Sequence, residues 1–228
     1  MIASMNFNEL HSAFYNDGYR LAQEYLSQNQ SEDNFIKLSE KTYKYIDYFI
    51  DLLITEANKQ NTPVECRKGC AKCCYQPVFM LPYEAIFIIR FLNKYYKEKI
   101  TDIKLMCEKK HNITSVLSPN KLLSHRQECP FLRKNTCIIY PARPMACRIY
   151  LSYSQKSCEN SFNNPEDKAI YPRLLEIALK AGQYLNEGIA KFLSEKKIKV
   201  FEFTIESMMT HVLSKNNFFN NWLNGEYD

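Results

Sequence analysis

The scarcity of glycine is the feature that most limits what this chain can fold into. Only 5 of the 228 residues are glycine. The glycine-rich phosphate loops of nucleotide-binding proteins cannot be built from so few. Few turns can adopt a positive φ at low cost, which argues against a β-meander or a β-barrel. We therefore expect a mainly α-helical protein.

Apolar residues recur at helical spacing through most of the chain. Tyr43, Ile46 and Ile50, for example, are three or four residues apart, as in a buried helical stripe. Pro82 suits the first turn of a third helix, and Thr101 is placed to cap a fourth. The predicted helices are Leu10–Leu26, Phe35–Ala57, Pro82 to about Tyr96, Thr101–Leu117, about Pro172–Ser194 and Ile205–Leu213, with a short strand near Lys199–Thr204.

One segment lacks helical periodicity. From Glu128 to Ser157 the chain has three prolines and no sustained repeat of 3.6 residues, which is typical of a loop-rich region. We expect an irregular helical domain over residues 1–228, in which N-terminal helices (1–60) and C-terminal helices (161–228) flank a cysteine-rich metal-binding region (61–160).

The chain has nine cysteines but no recognisable secretion signal. Its first residues include neither a basic nor an apolar region. The longest apolar stretch, Val78–Leu92, is interrupted by charges and is too short to span a bilayer. We therefore expect a cytoplasmic protein without membrane association. In the reducing cytosol, clustered cysteines bind metals or catalyse reactions more often than they form disulfides.

Eight of the cysteines fall into two groups, and we expect the two loops that carry them to meet at a metal site. Thiolates are soft ligands that suit zinc or iron–sulfur clusters. Cys107 is left over on the apolar face of the fourth predicted helix, where a buried and inert thiol is expected. The candidate ligands are Cys66, Cys70, Cys73 and Cys74 in the first group and Cys129, Cys137, Cys147 and Cys158 in the second.

The spacing of the cysteines leaves the metal open. Cys66-x3-Cys70-x2-Cys73 matches the cluster loops of radical enzymes that use S-adenosylmethionine, but the glycine motifs and α/β barrel pattern of those enzymes are absent. A zinc ribbon needs two C-x2-C pairs, which the second group does not supply. Irregular loops can still hold zinc through four thiolates. Because side chains of adjacent residues usually diverge, Cys73 and Cys74 either serve two centres or include one non-ligand.

Cationic residues accompany both groups. Arg143 and Arg148 flank the second group. We expect both to lie beside the metal, where their charges would offset the net negative charge of a thiolate-bound centre and depress thiol pKa values. The net charge of +5 is small for a nucleic-acid-binding protein, so no nucleic-acid partner is expected. The four histidines lie outside the groups, and only His125, four residues before Cys129, is worth testing as a ligand.

The combined pattern C-x3-C-x2-C-C, C-P-F-L, C-x-I-Y and R-P-x-x-C-R resembles the YkgJ-type cysteine-cluster family, whose domain is described as zinc- or iron-chelating. The resemblance runs from about Glu65 to Cys158 and leaves out the flanking helices. It implies that these cysteines bind zinc or iron. A similar group of cysteines in flagellin lysine N-methylase implies an iron–sulfur centre and a relation to protein methylation. The low glycine content gives no independent sign of a methyl-donor pocket.

Three functions follow from these observations. The first is an iron–sulfur or mononuclear iron protein with a redox or protein-modifying role. The second is a zinc-stabilised, non-enzymatic module that docks a protein partner, and the third is a protein that holds or senses metal reversibly. We favour an iron–sulfur cluster, with zinc second. The sequence does not indicate whether the protein is an enzyme or which residues would be catalytic. It also leaves the substrate and any protein partner open.

Overall fold

The computed structural model describes residues 6–67, 69–215 and 217–226. Over these residues the protein is mainly α-helical, as predicted. None of the described helices is both long and apolar enough to cross a membrane. The α-helices are α1 (Phe7–Leu26), α2 (Glu32–Lys59), α3 (Pro82–Tyr95), α4 (Ile100–Thr114), α5 (Pro119–Ser124), α6 (Met145–Ile149), α7 (Gln155–Asn163), α8 (Glu176–Glu195), α9 (Ile205–Ser214) and α10 (Phe218–Leu223).

The strands are two residues long and form two small antiparallel pairs. Strand β1 (Phe79–Met80) pairs with β4 (Phe203–Thr204), and β2 (Leu132–Arg133) pairs with β3 (Thr136–Cys137). The first pair joins the start of α3 to the start of α9. The second pair is a hairpin whose turn residues, Lys134 and Asn135, both have positive φ, as the right-handed twist of a tight hairpin requires.

The helices begin where the sequence supplies suitable groups. At the start of α1, the Asn6 side chain accepts the N–H of Glu9, and the Glu9 carboxylate accepts the N–H of Asn6, which is a reciprocal capping box. Ser31 accepts the N–H of Asn34 at the start of α2. Pro82 occupies the first turn of α3, as predicted.

Several predicted helix starts differ from the structure, and those of α1 and α2 were placed three residues too late. Helix α4 begins at Ile100, so Thr101 lies inside its first turn and does not cap it. The helix expected from Pro172 begins only at Glu176. In the intervening segment the carbonyl of Arg173 accepts the N–H of Tyr153 at 2.9 Å, and the N–H of Leu175 is donated to the carbonyl of Leu151 at 2.8 Å. These bonds hold the segment extended, which excludes it from the helix.

The buried apolar side chains form two clusters. The first lies between α1, α2 and α8, with Trp222 of α10 fully buried against it. The second lies between α3, α4 and α9 and also includes Phe131, Ile139 and Ala142. The second cluster therefore takes in residues of the region that the sequence predicted to be loop-rich.

Helices α1 and α8 approach each other closely because each has a glycine at the contact. A Cβ atom at Gly18 would lie 2.0 Å from the carbonyl oxygen of Leu185, and one at Gly188 would lie 2.0 Å from that of Tyr15. Two of the five glycines are thus needed for helix packing and not for turns.

The buried carboxylate of Glu84 joins three helices. Its Oε2 accepts the N–H of Leu81 at 2.9 Å, and its Oε1 accepts the N–H of Met145 at 2.7 Å and the hydroxyl of Tyr43 at 3.0 Å. Burial raises the pKa of Glu84, while these hydrogen bonds and the charge of Arg148 oppose the increase. The starts of α3 and α6 are thereby held against α2.

A buried ion pair joins α4 to α9. The side chains of Lys110 and Glu206 are 4% and 0% exposed, with 3.8 Å between Nζ and Oε2. Thr114 donates its hydroxyl to Glu206 Oε1 at 3.0 Å, and Lys110 donates to the carbonyl of Gln127 at 3.1 Å. Lys110 therefore also holds the chain just before Cys129.

Substituting Gly18 by alanine should destabilise the protein despite the better helix propensity of alanine, which is worth about 1 kcal/mol. The added Cβ would meet the Leu185 carbonyl, and overpacking of this kind costs roughly 1–3 kcal/mol. Urea unfolding should show a net loss of stability for Gly18→Ala and almost none for Ser12→Ala on the exposed face of α1. A stabilised Gly18→Ala variant would show that the helices can separate without cost.

Substituting Lys110 by methionine should lower the free energy of unfolding by about 3–5 kcal/mol, because it leaves the Glu206 carboxylate buried without its cation. Lys104→Met is the matched control on the same helix. Lys104 pairs with Glu108 at the surface, at 3.7 Å, where such pairs contribute about 0.3–0.5 kcal/mol. Equal effects of the two substitutions in urea unfolding would contradict the importance of the buried pair.

Candidate metal centre

The first cysteine segment (66–74) makes a turn and then a short 3-10 helix. The N–H of Cys70 is donated to the carbonyl of Arg67 at 3.1 Å, and Gly69 between them has φ +90°, a conformation that favours glycine. Cys73 and Cys74 lie in the 3-10 helix Lys72–Tyr75. Cys66 is exposed, and its sulfur accepts the N–H of Ser152 at 3.2 Å.

The second cysteine segment (128–158) is more regular than the sequence predicted. Cys129 precedes the β2–β3 hairpin and Cys137 ends it. Cys147 lies in α6 and Cys158 in α7. The backbone N–H groups of Phe131 and Ile139 hydrogen-bond to the sulfurs of Cys129 and Cys137 and lower their pKa values against the larger effect of burial.

Backbone hydrogen bonds bring the two segments together. Cys129 donates its N–H to the carbonyl of Cys74 at 2.8 Å, and Gln127 donates to the carbonyl of Tyr75 at 2.9 Å. On the other side, Glu65 donates its N–H to the carbonyl of Ser152 at 3.0 Å. The first cysteine segment thus lies between the start and the end of the second.

Cys73 affects the pKa values of thiols in both segments. Its charge raises those of Cys66 and Cys158 and those of Cys137 and Cys147, after burial as the largest cause in each case. A hydrogen bond with the neighbouring Cys74 thiol, followed by burial, raises the pKa of Cys73.

Burial raises the pKa values of several thiols above their ordinary value. It raises the pKa of Cys129 to about 12. The pKa of Cys147 is also well above its usual value, first because of burial and then because of Cys129, Cys73 and Cys137. Each of these thiolates would need a nearby cation to be stable, and a bound metal supplies that charge.

The cysteine thiols are the right type of group to bind zinc or iron. Their side chains are not, however, arranged around a common point as the ligands of one metal ion would be. Among the described residues, no three or more Cys, His, Asp or Glu side chains are grouped so that they could hold a metal ion. Zinc and iron bind after the thiols lose their protons. The eight candidate ligands named from the sequence therefore remain a prediction.

The two arginines expected beside the metal differ in their surroundings. Arg143 lies over the Tyr140 ring at 3.8 Å, and its charge lowers the pKa values of Cys73, Cys137 and Cys147 against larger opposing effects. Arg148 is buried, lies over the Tyr43 ring at 3.9 Å, and donates hydrogen bonds to other groups. Those acceptors are the Asp47 carboxylate and the carbonyls of Arg143 and Pro141.

Cys107 and His125 lie outside the two cysteine segments. Cys107 is 0% exposed, so the predicted burial is confirmed, and that burial raises its pKa. His125 has one ring nitrogen, Nε2, at 3.1 Å from Gln127 Oε1.

Two cationic residues near the cysteines were not identified from the sequence. Lys110 lowers the pKa of Cys129 against the larger effect of burial. Arg126 borders a cleft that reaches Cys73 and Cys158. Neither residue lies in the cysteine motif, and in the sequence both resemble ordinary surface charges. Their proximity to the cysteines becomes visible only from the packing of α4 and of the segment before Cys129.

Residues 65–168, just under half of the chain, match the family described as CxxCxxCC, a putative zinc- or iron-chelating domain. Searches of curated proteins and of solved structures gave no match. The matched range contains all eight clustered cysteines and confirms the resemblance seen in the sequence. Residues 65–168 are therefore similar to a family described as metal-chelating, and this similarity supports metal binding by the cysteine region.

Proposed function

We propose that the two cysteine segments hold an iron–sulfur cluster and that the protein is a cytoplasmic protein with a redox or protein-modifying role. The observation that carries the proposal is that backbone hydrogen bonds join the two cysteine segments, from Cys129 to the carbonyl of Cys74 and from Glu65 to that of Ser152. Iron–sulfur clusters are held by cysteine thiolates. Hydrogen bonds to the sulfurs are one means by which proteins tune the reduction potentials of such clusters.

Two features favour iron–sulfur over a structural zinc site. Structural zinc is enclosed by four ligands, whereas Cys73 and Cys158 border an open cleft. The segments also supply more thiols than one tetrahedral ion needs. A redox centre benefits from an open cleft at one side, because a reacting molecule or an electron-transfer partner can approach the centre there.

A second candidate function is metal handling or zinc-dependent binding of a protein partner. Its support is the exposure of Cys66, since an exposed ligand is easily displaced by a competing thiol. This alternative needs no redox chemistry and leaves the helices as the interaction surface.

Protein purified without oxygen should be coloured and contain iron and acid-labile sulfide in similar amounts. Elemental analysis and visible absorption measure both properties. Cys147→Ser and Cys73→Ser should lose most of the iron and the colour, whereas Cys107→Ser, the matched control outside the segments, should retain them. Colourless protein with stoichiometric zinc would instead establish the second candidate, and protein without either metal would refute both.

Removal of the metal should open the first cysteine segment more than the second. Arg67 is exposed and its segment has few apolar anchors, whereas Phe131, Leu132 and Ile139 are at most 2% exposed. In limited trypsin digestion of chelated protein, we expect cleavage at Arg67 before Arg148. Far-UV circular dichroism should retain most of the helical signal, because α1, α2 and α8 pack without the cysteines.

Simultaneous loss of all helical signal on chelation would contradict this order. Cys107→Ser should behave like the unaltered protein, whereas Cys70→Ser should be cleaved at Arg67 even before chelation.

A further inference from the structure

The cleft beside the cysteines has the chemistry of a ligand site. It is open to solvent and is bordered by Cys73 of the first segment and Cys158 of the second. Lys72, Arg126, Tyr150 and Phe162 also line it. Two cations and two aromatic rings thus surround a space next to two of the candidate metal ligands.

Arg126 is the group in this cleft that most needs a partner. Its guanidinium is half-buried, and burial lowers its pKa. Nη1 donates to the carbonyls of Leu123 and His125, at 3.0 and 3.1 Å. Among the residues that the structure describes, no carboxylate lies within salt-bridge distance of Arg126, and Nε and Nη2 have no hydrogen-bond acceptor.

The charge of Lys72 is already partly compensated. Its Nζ is 3.5 Å from the Glu159 carboxylate and 4.6 Å from the centre of the Phe162 ring. Phe162 is in turn packed edge-on against Tyr75, with 5.5 Å between ring centres. Lys72 therefore fixes one wall of the cleft and leaves Arg126 as the principal anion-binding group.

The two nitrogens of Arg126 without an acceptor, Nε and Nη2, indicate which class of ligand would bind in the cleft. Nε and Nη2 form a planar fork that matches the two oxygens of a carboxylate. A phosphate is usually bound by several cations, whereas the second cation of this cleft, Lys72, is already paired with Glu159. The rings of Tyr150 and Phe162 line the same open cleft and offer apolar surface to the rest of the ligand.

From this geometry we infer that the cleft binds a small carboxylic acid with an apolar body, with its carboxylate on Arg126 and its body beside Cys73 and Cys158. The inference rests on the proposed function to the extent that the two cysteines belong to the metal centre. The inferred substrate or effector of that centre is an organic carboxylate, which would be held next to the metal ligands.

The test is titration of the metal-loaded protein with 4-fluorobenzoate, followed by ¹⁹F NMR. 4-Fluorobenzamide has nearly the same shape without the charge and should bind at least tenfold more weakly, because the charge-assisted hydrogen bonds to Arg126 are lost. This comparison uses the unaltered protein and does not depend on how any variant folds. Equal affinities for the acid and the amide would overturn the inference.

Arg126→Gln should weaken 4-fluorobenzoate binding at least tenfold. Arg133→Gln is a matched control, since Arg133 Nη1 also donates to two backbone carbonyls, those of Pro130 and Leu132, and Arg133 does not line the cleft. An equal loss in both variants, or none in Arg126→Gln, would refute the site. Metal content is measured on the same samples, so a metal-free preparation that still binds the acid through Arg126 refutes only the proposed iron–sulfur function.

Discussion

The buried carboxylate of Glu84 is the interaction on which the position of the cysteine region depends most. It accepts hydrogen bonds from Leu81, Met145 and Tyr43, which belong to the starts of α3 and α6 and to α2. A buried carboxylate is costly unless its oxygens are satisfied, so these three partners are held together as a set. Because α6 carries Cys147, the same set places one of the candidate ligands.

The two cysteine segments are supported in different ways, and the difference bears on function. The second segment is anchored by Phe131 and Ile139 in the apolar cluster between α3, α4 and α9. The first is held largely by backbone hydrogen bonds, such as that from Cys129 to the carbonyl of Cys74. The second segment is therefore part of the protein core, whereas the first is attached to it mainly through its backbone.

Periodic apolar stripes were sufficient to predict the long helices, but not the short elements around the cysteines. Helices α1 and α2 have clear stripes and caps, whereas the β2–β3 hairpin and α6 are too short for any periodicity to be visible. The start of α8 was misplaced because residues 173–175 bond to residues 151–153. Such a long-range pairing has no local signal, and it overrides the helical tendency of the segment.

The sequence by itself determined the helical class, the similarity of the cysteine region to a metal-chelating family and the thiol character of its donor set, because glycine content, apolar spacing and cysteine motifs are local properties. The tertiary structure decided which groups face the thiols. It put Arg148 against Asp47 and Tyr43, paired Lys110 with Glu206 away from solvent, and left Arg126 half-buried without a carboxylate among the described residues. These outcomes depend on contacts between residues far apart in the chain, and the charge of a side chain does not reveal in advance which partner folding will bring to it.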